Sequence, residues 1–400
     1  MTKSLFFVII LGQIDVMKIA MIGQKGIPAR AGGIERHVEE LSAELAARGH
    51  ELLVFCRSWY VWPIRNHRGV RCVKAPTIST KHLDAIVHTF FSIIKAAREK
   101  VDVFHIHGVG PSILCWLPKL LRPSASVIVT FHSIDRHNEK WGWFARQMLS
   151  LGERMAVTFP DATIAVSKTL EAYCRMSHGI NAKYIPNGAQ IPQEDADSTI
   201  VTAFGLEPGK YLMMCSRLIR LKAAHTLMDA WKQLRKERPD LTSDFKLAIV
   251  GGSARTDDYV RSLCDLARTD DSIVMTGTQT GSTLHALFLN SYACVHPSEV
   301  EGLPIAVLEG MSYGKCVLGS DIPGNMELLE QHGLTFSRGN VEDLKTKIIY
   351  MLEHSDEIRA IGKLSREHIA KHYDWKDIAE TTEYLYELVQ LEPELKNVKA

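Results

Sequence analysis

Two carboxylates bracket a tight turn near residue 300. Residues 297–314 read PSEVEGLPIAVLEGMSYG, so Glu301 precedes a Gly302-Leu303-Pro304 turn and Glu309 lies in the helix predicted to follow it. Unpaired backbone N–H groups at a turn and a helix start favour phosphate or sugar oxygens, while carboxylates accept hydrogen bonds from hydroxyls. Hydrogen bonds to a charged acceptor are worth about 1.5–3 kcal/mol each, enough to orient a sugar and a ribose. The segment therefore predicts a site for a ligand rich in phosphate and hydroxyl groups.

Two cations follow a predicted strand at 211–216. Arg217 and Lys222 lie just past its carboxyl end, where parallel α/β folds bind ligands. A guanidinium and an ammonium suit a diphosphate, whose charge grows when it departs as a leaving group. Taken alone, the pair is more typical of two solvated loop charges than of a binding site.

A glycine-rich loop, residues 23–33, follows the first predicted strand and leads into a helix. Its glycines permit close approach of a ligand to the backbone, and the helix start favours an anion. The spacing differs from that of a dinucleotide site, and the second strand, 51–56, lacks the acidic residue that would bind an adenosine ribose. Taken alone, the loop is as compatible with a structural turn as with a binding site.

Histidines are grouped on the first half of the chain. His105 and His107 lie on one predicted strand, and His132, Asp135 and His137 follow the end of another. Because no third or fourth ligand stands at metal-binding spacing, the group is typical of a polar cleft wall rather than a zinc site. The sequence therefore predicts no metal site.

Taken together, these segments resemble the retaining glycosyltransferases of family 4, which have the two-domain GT-B fold. The resemblance runs from Met17 to the last helix and rests mainly on the paired glutamates around Gly-Leu-Pro. Within the family it is similar to bacterial surface-polysaccharide transferases of the rhamnosyltransferase-like subgroup, on the segments 26–35 and 139–142. The chain departs from the family pattern at Ser216 and Ala223, where glycine is usual.

The resemblance implies a donor site in the second half of the chain. Glu309 would bind the ribose hydroxyls of a nucleotide-diphosphate sugar, and Glu301 would contact the transferred sugar. Arg217 and Lys222 would neutralise the diphosphate, so neither a metal nor another cofactor is expected. The backbone of the turn would hold sugar and phosphate through residues Gly302, Leu303 and Pro304.

The resemblance also implies roles for the first half. Gly32 and Gly33 would line the acceptor side near the donor phosphate, and His132 would meet the donor sugar. Asn187 matches a recurrent structural position near the cleft. The implied reaction retains the configuration of the sugar, with same-face attack in which the departing diphosphate oxygen takes the acceptor proton. The acceptor would be a lipid-linked or growing bacterial surface polysaccharide.

The elements that must position these residues follow the pattern of β-α units. Strands are predicted in the first half at 18–23, 51–56, 102–106, 126–131 and 162–166. In the second half they are predicted at 211–216, 245–250, 272–276, 292–296 and 315–319. Helical spacing falls between them, including 82–98, 223–238 and 303–313. The pattern predicts an α/β protein with two Rossmann-like domains that face each other across a cleft.

The chain is too long for one hydrophobic core, so two domains are expected. We predict an extension at 1–16, an acceptor-side domain at 17–190, a nucleotide-sugar-binding domain at 191–375 and a helix at 376–400 that returns to the first domain. The boundary rests on the Pro-, Gly- and Asp-rich composition of 186–210. The apolar face of the last helix is predicted to contain Ile378, Tyr384, Leu385 and Leu388.

Charge is divided unevenly along the chain. Residues 1–190 hold 24 Lys and Arg against 14 Asp and Glu, whereas 191–400 hold 23 against 32. A basic half predicts contact with an anionic partner, here an anionic membrane surface, although random scatter explains the difference equally well. No nucleic-acid-binding module is recognised, so nucleic acid is not an expected partner.

The compartment is predicted from the cysteines and the amino terminus. None of the eight cysteines has CxxC spacing, which is typical of reduced, buried thiols. The apolar run 5–11 is far shorter than the ~20 residues of a membrane-spanning helix. A cytoplasmic protein is therefore expected, with peripheral contact at the inner face of the plasma membrane as a further expectation.

Three other functions fit parts of the pattern. A GT-B nucleotide-sugar epimerase would need no acceptor, and a glycogen-type phosphorylase would need a pyridoxal lysine and a longer chain. A catalytically inactive nucleotide-sugar-binding subunit would keep the fold without transfer. The charged residues at 217, 222, 301 and 309 favour an active transferase over such a subunit.

Overall fold

The computed structural model describes residues 16–60, 64–78, 80, 83–134, 142–193, 195, 197–254 and 256–398. Most of the predicted extension at 1–16 lies outside these residues. So do Asp135, His137 and residues 139–141 of the segment that suggested the rhamnosyltransferase-like subgroup.

The first domain is built on an eight-stranded sheet in the order β3-β4-β2-β1-β5-β6-β7-β8. Its strands are Lys18–Ile22, Glu51–Arg57, Asn66–His67, Val70–Ala75, Val103–His107, Ser126–Phe131, Ala162–Ala165 and Lys183–Tyr184. All neighbours are parallel except the antiparallel pair β3 and β4. Its helices α1 to α5 are Gly33–Ala47, Asp84–Arg98, Leu117–Leu121, Trp143–Thr158 and Lys168–His178, with a 3₁₀ turn at Pro111–Leu114.

The second domain is built on a six-stranded parallel sheet in the order β11-β10-β9-β12-β13-β14. Its strands are Tyr211–Cys215, Lys246–Val250, Ile273–Gly277, Ala293–His296, Val317–Ser320 and Leu334–Phe336. Helices α6 to α14 are Thr199–Thr202, Ala224–Glu237, Pro239–Thr242, Asp257–Ala267, Gly281–Asn290, Ile305–Ser312, Pro323–Leu329, Val341–Glu353 and Ser355–His372. The last helix, α15, spans Trp375–Val398.

The strands form as their composition predicts. Central strands of a parallel sheet are covered on both faces and therefore read as continuous apolar runs. Tyr211–Cys215 reads YLMMC, and its first four residues are buried. Phe55, Phe104 and Phe131 fill the core of the first domain, and Trp231 that of the second. The two facing Rossmann-like domains confirm the predicted fold class.

The chain crosses between the domains twice, and the two crossings lie side by side. The backbone N–H of Ala189 donates to the Tyr373 carbonyl at 2.9 Å, and Ala189 forms a parallel bridge with Asp374. A Cβ on Gly188 would lie 2.8 Å from the Trp375 ring and from Ile378, so only glycine fits there. The packed crossings form one joint between the two sheets.

Helix α15 packs back onto the first domain. Glu383 is 3% exposed and accepts hydrogen bonds from Arg48 at 2.5 Å and His50 at 2.7 Å. The buried face of the helix differs in part from the predicted one. Ile378 and Leu385 are buried, but Tyr384 and Leu388 are 48% and 39% exposed, and the buried positions nearby are Tyr386 and Val389. No helix among the described residues is long and apolar enough to cross a membrane.

Candidate active site

Glu301 lies in a buried ion pair at the carboxyl end of the second sheet. Its Oε1 contacts the Lys222 ammonium and lies 2.8 Å from His296 Nε2. The Glu301 and Lys222 side chains are only 12% and 15% exposed. His296 ends strand β12, and Lys222 ends a 3₁₀ turn after β9, so two adjacent strands deliver the partners to one carboxylate.

The charge on Glu301 is set by these partners. Burial alone would raise the pKa of the carboxyl, but the positive charge of Lys222 and the His296 hydrogen bond outweigh it and hold the pKa well below its usual range. Glu301 is therefore ionised at neutral pH. An ionised oxygen in a partly dry cleft is a strong acceptor for a sugar hydroxyl.

Glu309 lies two turns further on, in α11, and meets a residue of the first domain. Its Oε1 lies 3.5 Å from Nε of Arg36, which belongs to α1. Burial raises the pKa of Glu309, and the guanidinium of Arg36 opposes that rise. Both carboxylates of the motif are thus paired with a cation, one from its own domain and one from across the cleft.

The glycine-rich loop is held in place by α1. The Glu35 carboxylate accepts a hydrogen bond from the Lys25 backbone N–H at 3.2 Å, and Glu39 accepts one from Ala29 at 3.1 Å. A Cβ on Gly32, whose φ is +112°, would collide with the Glu35 carboxylate. Gly33 faces the other domain, since a Cβ there would lie 3.8 Å from Ile305. The loop therefore lies directly opposite the start of α11.

A positive region forms between the loop and the second sheet. The Lys25 ammonium lies 4.0 Å from Glu35, and burial lowers its pKa, with a further lowering from the positive charge of Arg217. The Arg217 side chain is half-buried and has no hydrogen bond or ion pair with the described part of the chain. Together with Lys222, these cations can serve a diphosphate that enters the cleft.

His132 lies at the end of β6, where the two domains touch. Its carbonyl oxygen packs on Gly302 so closely that a Cβ at position 302 would collide with it. Asn187 lies beside this contact: its amide donates to the Leu303 carbonyl at 2.7 Å and its Oδ1 lies 2.9 Å from His37 Nδ1. The turn that follows Glu301 is therefore held by the first domain, through the side chain of Asn187 and the backbone of His132.

Three buried histidines come together under this contact. Ligand atoms of His37, His107 and His132 all lie within 4.8 Å of one another, the one group among the described residues that could hold a metal ion. Burial lowers the pKa of His37 to about 4 and holds those of the other two well below the ordinary value. His107 Nδ1 and His132 Nε2 lie 3.3 Å apart, a distance suited to a hydrogen bond between neutral rings.

Of the ten predicted site residues, five lie against the opposite domain: Gly33, His132, Gly302, Leu303 and Glu309. Lys222 and Glu301 form an ion pair within the second domain, and Arg217 is close enough to Lys25 of the first domain to lower its pKa. Gly32 and Pro304 adjoin Gly33 and Leu303 along the chain. Arg36, His37, Asn187 and His296 join them, although sequence reasoning assigned none of these four to catalysis or donor binding. His105 is not a cleft residue: it is fully buried and bonded to Tyr386 of α15 at 2.6 Å. The apolar residues around His105 in its strand could have indicated that its side chain is buried.

Comparison with known proteins shows which protein families the two halves of the chain match. The sequence profile described as Glycosyltransferase Family 4 matches residues 31–191, and that described as Glycosyl transferases group 1 matches residues 202–368. The chain is 25% identical over 397 residues to spore coat protein SA of Bacillus subtilis, with 93% of this chain and 99% of the relative covered. It is 22% identical over 381 residues to the phosphatidylinositol N-acetylglucosaminyltransferase gpi3 subunit of Schizosaccharomyces pombe, with 91% and 79% covered.

Solved structures share the fold. The crystal structure of Anabaena HepE in complex with UDP and glucose superposes with a TM-score of 0.76 and 18% identity, with 92% of this chain and 98% of that chain covered.

Proposed function

Because the chain is a glycosyltransferase with the GT-B fold, we propose that it moves a sugar from a nucleotide-diphosphate sugar to an acceptor hydroxyl in the cleft, with retention of configuration. The observation that carries the proposal is the pairing of Glu301 with Lys222, beside Glu309 and opposite Gly33. Two carboxylates and several cations then lie in one cleft, and these are groups that can bind the hydroxyls and the diphosphate of a nucleotide sugar.

We assign the donor roles that the family resemblance implies. Glu309 binds the ribose hydroxyls, and Glu301 binds the transferred sugar. Arg217, Lys222 and Lys25 face the diphosphate and stabilise the charge that develops on it, so no metal ion is needed for that task. The bound diphosphate would take over the Lys222 ammonium from Glu301, which frees an oxygen of Glu301 for a sugar hydroxyl.

The proposed reaction is a same-face displacement. The acceptor oxygen forms a bond to the reacting sugar carbon as the bond from that carbon to the diphosphate oxygen breaks, and the acceptor proton passes to the departing oxygen. No side chain need become covalently attached to the sugar. Neutral His132 and the backbone of the 302–304 turn exclude water from the reacting carbon.

Nucleotide binding is the first test. Thermal stabilisation by UDP, GDP, dTDP and ADP is measured for the wild type, for Glu309→Ala and for the control Glu207→Ala, an exposed residue at the opposite, amino end of β9. We expect one preferred nucleotide, with stabilisation lost in Glu309→Ala and kept in the control. Stabilisation by none of the four would refute nucleotide binding in the cleft and with it the proposed function, and equal stabilisation of both variants would refute the role of Glu309.

The stereochemistry needs its own experiment. NMR of the product's anomeric signal should show the configuration of the donor, and intact-protein mass spectrometry during turnover should show no added sugar. An inverted product or a donor-dependent covalent adduct would refute the same-face mechanism. Conversion of the donor to an isomeric nucleotide sugar without any acceptor would point to an epimerase.

We further propose that the acceptor is lipid-linked and that the first domain rests on an anionic membrane. The first half of the chain is basic, and Trp143 and Phe144, at the start of α4, are 75% and 71% exposed. Aromatic side chains of this kind enter the headgroup region beside basic residues. The name of the S. pombe relative includes the lipid phosphatidylinositol, which supports a lipid-containing acceptor here.

Sedimentation with vesicles tests the membrane contact. The wild type should bind vesicles with 30% anionic lipid, release in high salt, and bind neutral vesicles weakly. Trp143→Ser with Phe144→Ser should reduce binding several-fold, whereas Leu364→Ser, at a 57% exposed leucine of the second domain, should not. If both variants bound the vesicles equally well, Trp143 and Phe144 would not be part of the surface that contacts the membrane.

A further inference from the structure

Arg36 links the two halves of the site. It lies in the first turn of α1, directly after the glycine-rich loop, and its Nε lies 3.5 Å from Oε1 of Glu309 in the second domain. Its other contacts are to α1 itself, with NH1 3.0 Å from Glu40 and 3.6 Å from Glu39. The guanidinium therefore bridges from the acidic face of α1 to the carboxylate assigned to the donor ribose.

The Arg36 side chain is anchored although it is 41% exposed. Glu40, which pairs with it, is 1% exposed and also bonds Arg68 and Gln190, each at 2.8 Å. A buried carboxylate with several partners fixes the position of the guanidinium at the cleft edge. Arg36 is thus aimed at Glu309 by groups that do not themselves reach it.

Arg36 favours the ionised form of Glu309. The titratable groups that face it are Arg36 and Glu40 of α1, Tyr313 directly after α11 and Cys215 at the end of β9. Arg36 is the one cation in that set, and burial together with Glu40 favours the protonated acid. Only the carboxylate offers both oxygens as acceptors to a pair of ribose hydroxyls.

We propose that Arg36 is a positioning residue of the donor site: from the first domain it holds the Glu309 carboxylate ionised and oriented for the donor ribose. The inference rests on the proposed function, because it assumes that a nucleotide binds at Glu309. It adds that nucleotide affinity depends on contact between the domains, since the carboxylate and its cation belong to different sheets. Separation of the domains would release Arg36 and weaken the hold of Glu309 on the ribose.

The test compares nucleotide binding at two pH values. Calorimetry measures the dissociation constant of the tightest-binding member of UDP, GDP, dTDP and ADP at pH 8 and pH 6 for the wild type, Arg36→Gln and Arg36→Lys. At pH 8 we expect the dissociation constant of Arg36→Gln to be about tenfold larger than that of the wild type. At pH 6 this ratio should be at least threefold larger than it is at pH 8. Arg36→Lys should recover most of the loss. Each variant is compared with the wild type at the same pH, so the effect of titration of the nucleotide phosphate on the dissociation constants cancels.

Arg68→Gln is the matched control, because Arg68 also pairs with Glu40 but has no contact with Glu309. It should bind the nucleotide as the wild type does at both pH values. Arg36→Gln added to Glu309→Gln should cause no further loss of affinity. The inference would be overturned if the ratio of the Arg36→Gln and wild-type dissociation constants did not change with pH, or if Arg36→Gln lost no more affinity than Arg68→Gln. Either result would leave the proposed function intact. Failure of the wild type to bind any of the four nucleotides would instead overturn the proposed function, and this inference with it.

Discussion

The ion pair between Lys222 and Glu301 allows a quantitative prediction. Replacement of Lys222 by Met keeps the length of the side chain but leaves Glu301 ionised, 12% exposed and supported only by His296. Removal of one partner from a buried pair costs about 3–5 kcal/mol, because the remaining charge is left without compensation. Since His296 keeps one hydrogen bond, we expect a loss of about 2–3 kcal/mol in the free energy of unfolding of the second domain.

The assay is a double-mutant cycle. Lys222→Met, Glu301→Gln and the double variant are compared with the wild type by calorimetry at pH 7.5, where 2–3 kcal/mol corresponds to a fall in melting temperature of roughly 4–12 °C for a domain of this size. The double variant should recover to within about 1 kcal/mol of the wild type, because no unpaired charge remains. The coupling energy of the cycle then measures the interaction itself.

The pH dependence provides an independent check. The folded-state pKa of Glu301 lies below its ordinary value of 4.5, so the pair contributes its full stability above about pH 4.5 and loses it as pH falls through the folded pKa. In Lys222→Met the carboxyl takes up a proton at a higher pH, so the deficit relative to wild type should shrink between pH 7.5 and pH 4.5. A Lys222→Met protein as stable as the wild type, with no recovery in the double variant, would refute the reasoning.

Three further predictions follow from the facing surfaces of the domains. Gly302→Ala should lower kcat/KM by about 100-fold in a transfer assay, because its Cβ would collide with the His132 carbonyl and displace the turn; near-normal activity would show that this contact is dispensable. His37 is buried neutral with a pKa of about 4, so the loss of stability between pH 7.5 and pH 5.5, measured by chemical denaturation, should be about 1 kcal/mol smaller in His37→Gln than in the wild type. Treatment with EDTA should change the rate of transfer less than twofold; a large loss that Zn²⁺ restores would direct attention to the three buried histidines.

Much of the fold was predictable because central parallel strands carry a strong signal. All ten predicted strands are present, each with ends within about two residues of the prediction. The four that were missed are short or lie at or next to a sheet edge: Asn66–His67, Val70–Ala75, Lys183–Tyr184 and Leu334–Phe336. Val70–Ala75 contains Arg71 and Lys74, which an edge region tolerates because one side of it meets solvent, so its composition does not distinguish it from a loop.

The candidate site is most visible in the sequence where its residues form a continuous motif. Glu301 and Glu309 stand in one local segment, so their types and spacing are visible in the sequence. Arg36 and Asn187 act across the cleft on residues more than a hundred positions away, and no local periodicity records such a contact. His37 was hidden for the same reason, since its neighbours His107 and His132 come from two other elements.

The return of α15 to the first domain has a consequence for the order of synthesis. Tyr386 and Glu383 complete contacts with His105 and His50, yet they leave the ribosome only after the whole second domain. At roughly 5–20 residues per second, translation of that domain takes on the order of ten seconds or more. During this interval the first domain lacks the contacts that α15 supplies to its core. A premature stop near residue 374 would therefore destabilise the domain that is synthesised first rather than the one synthesised last.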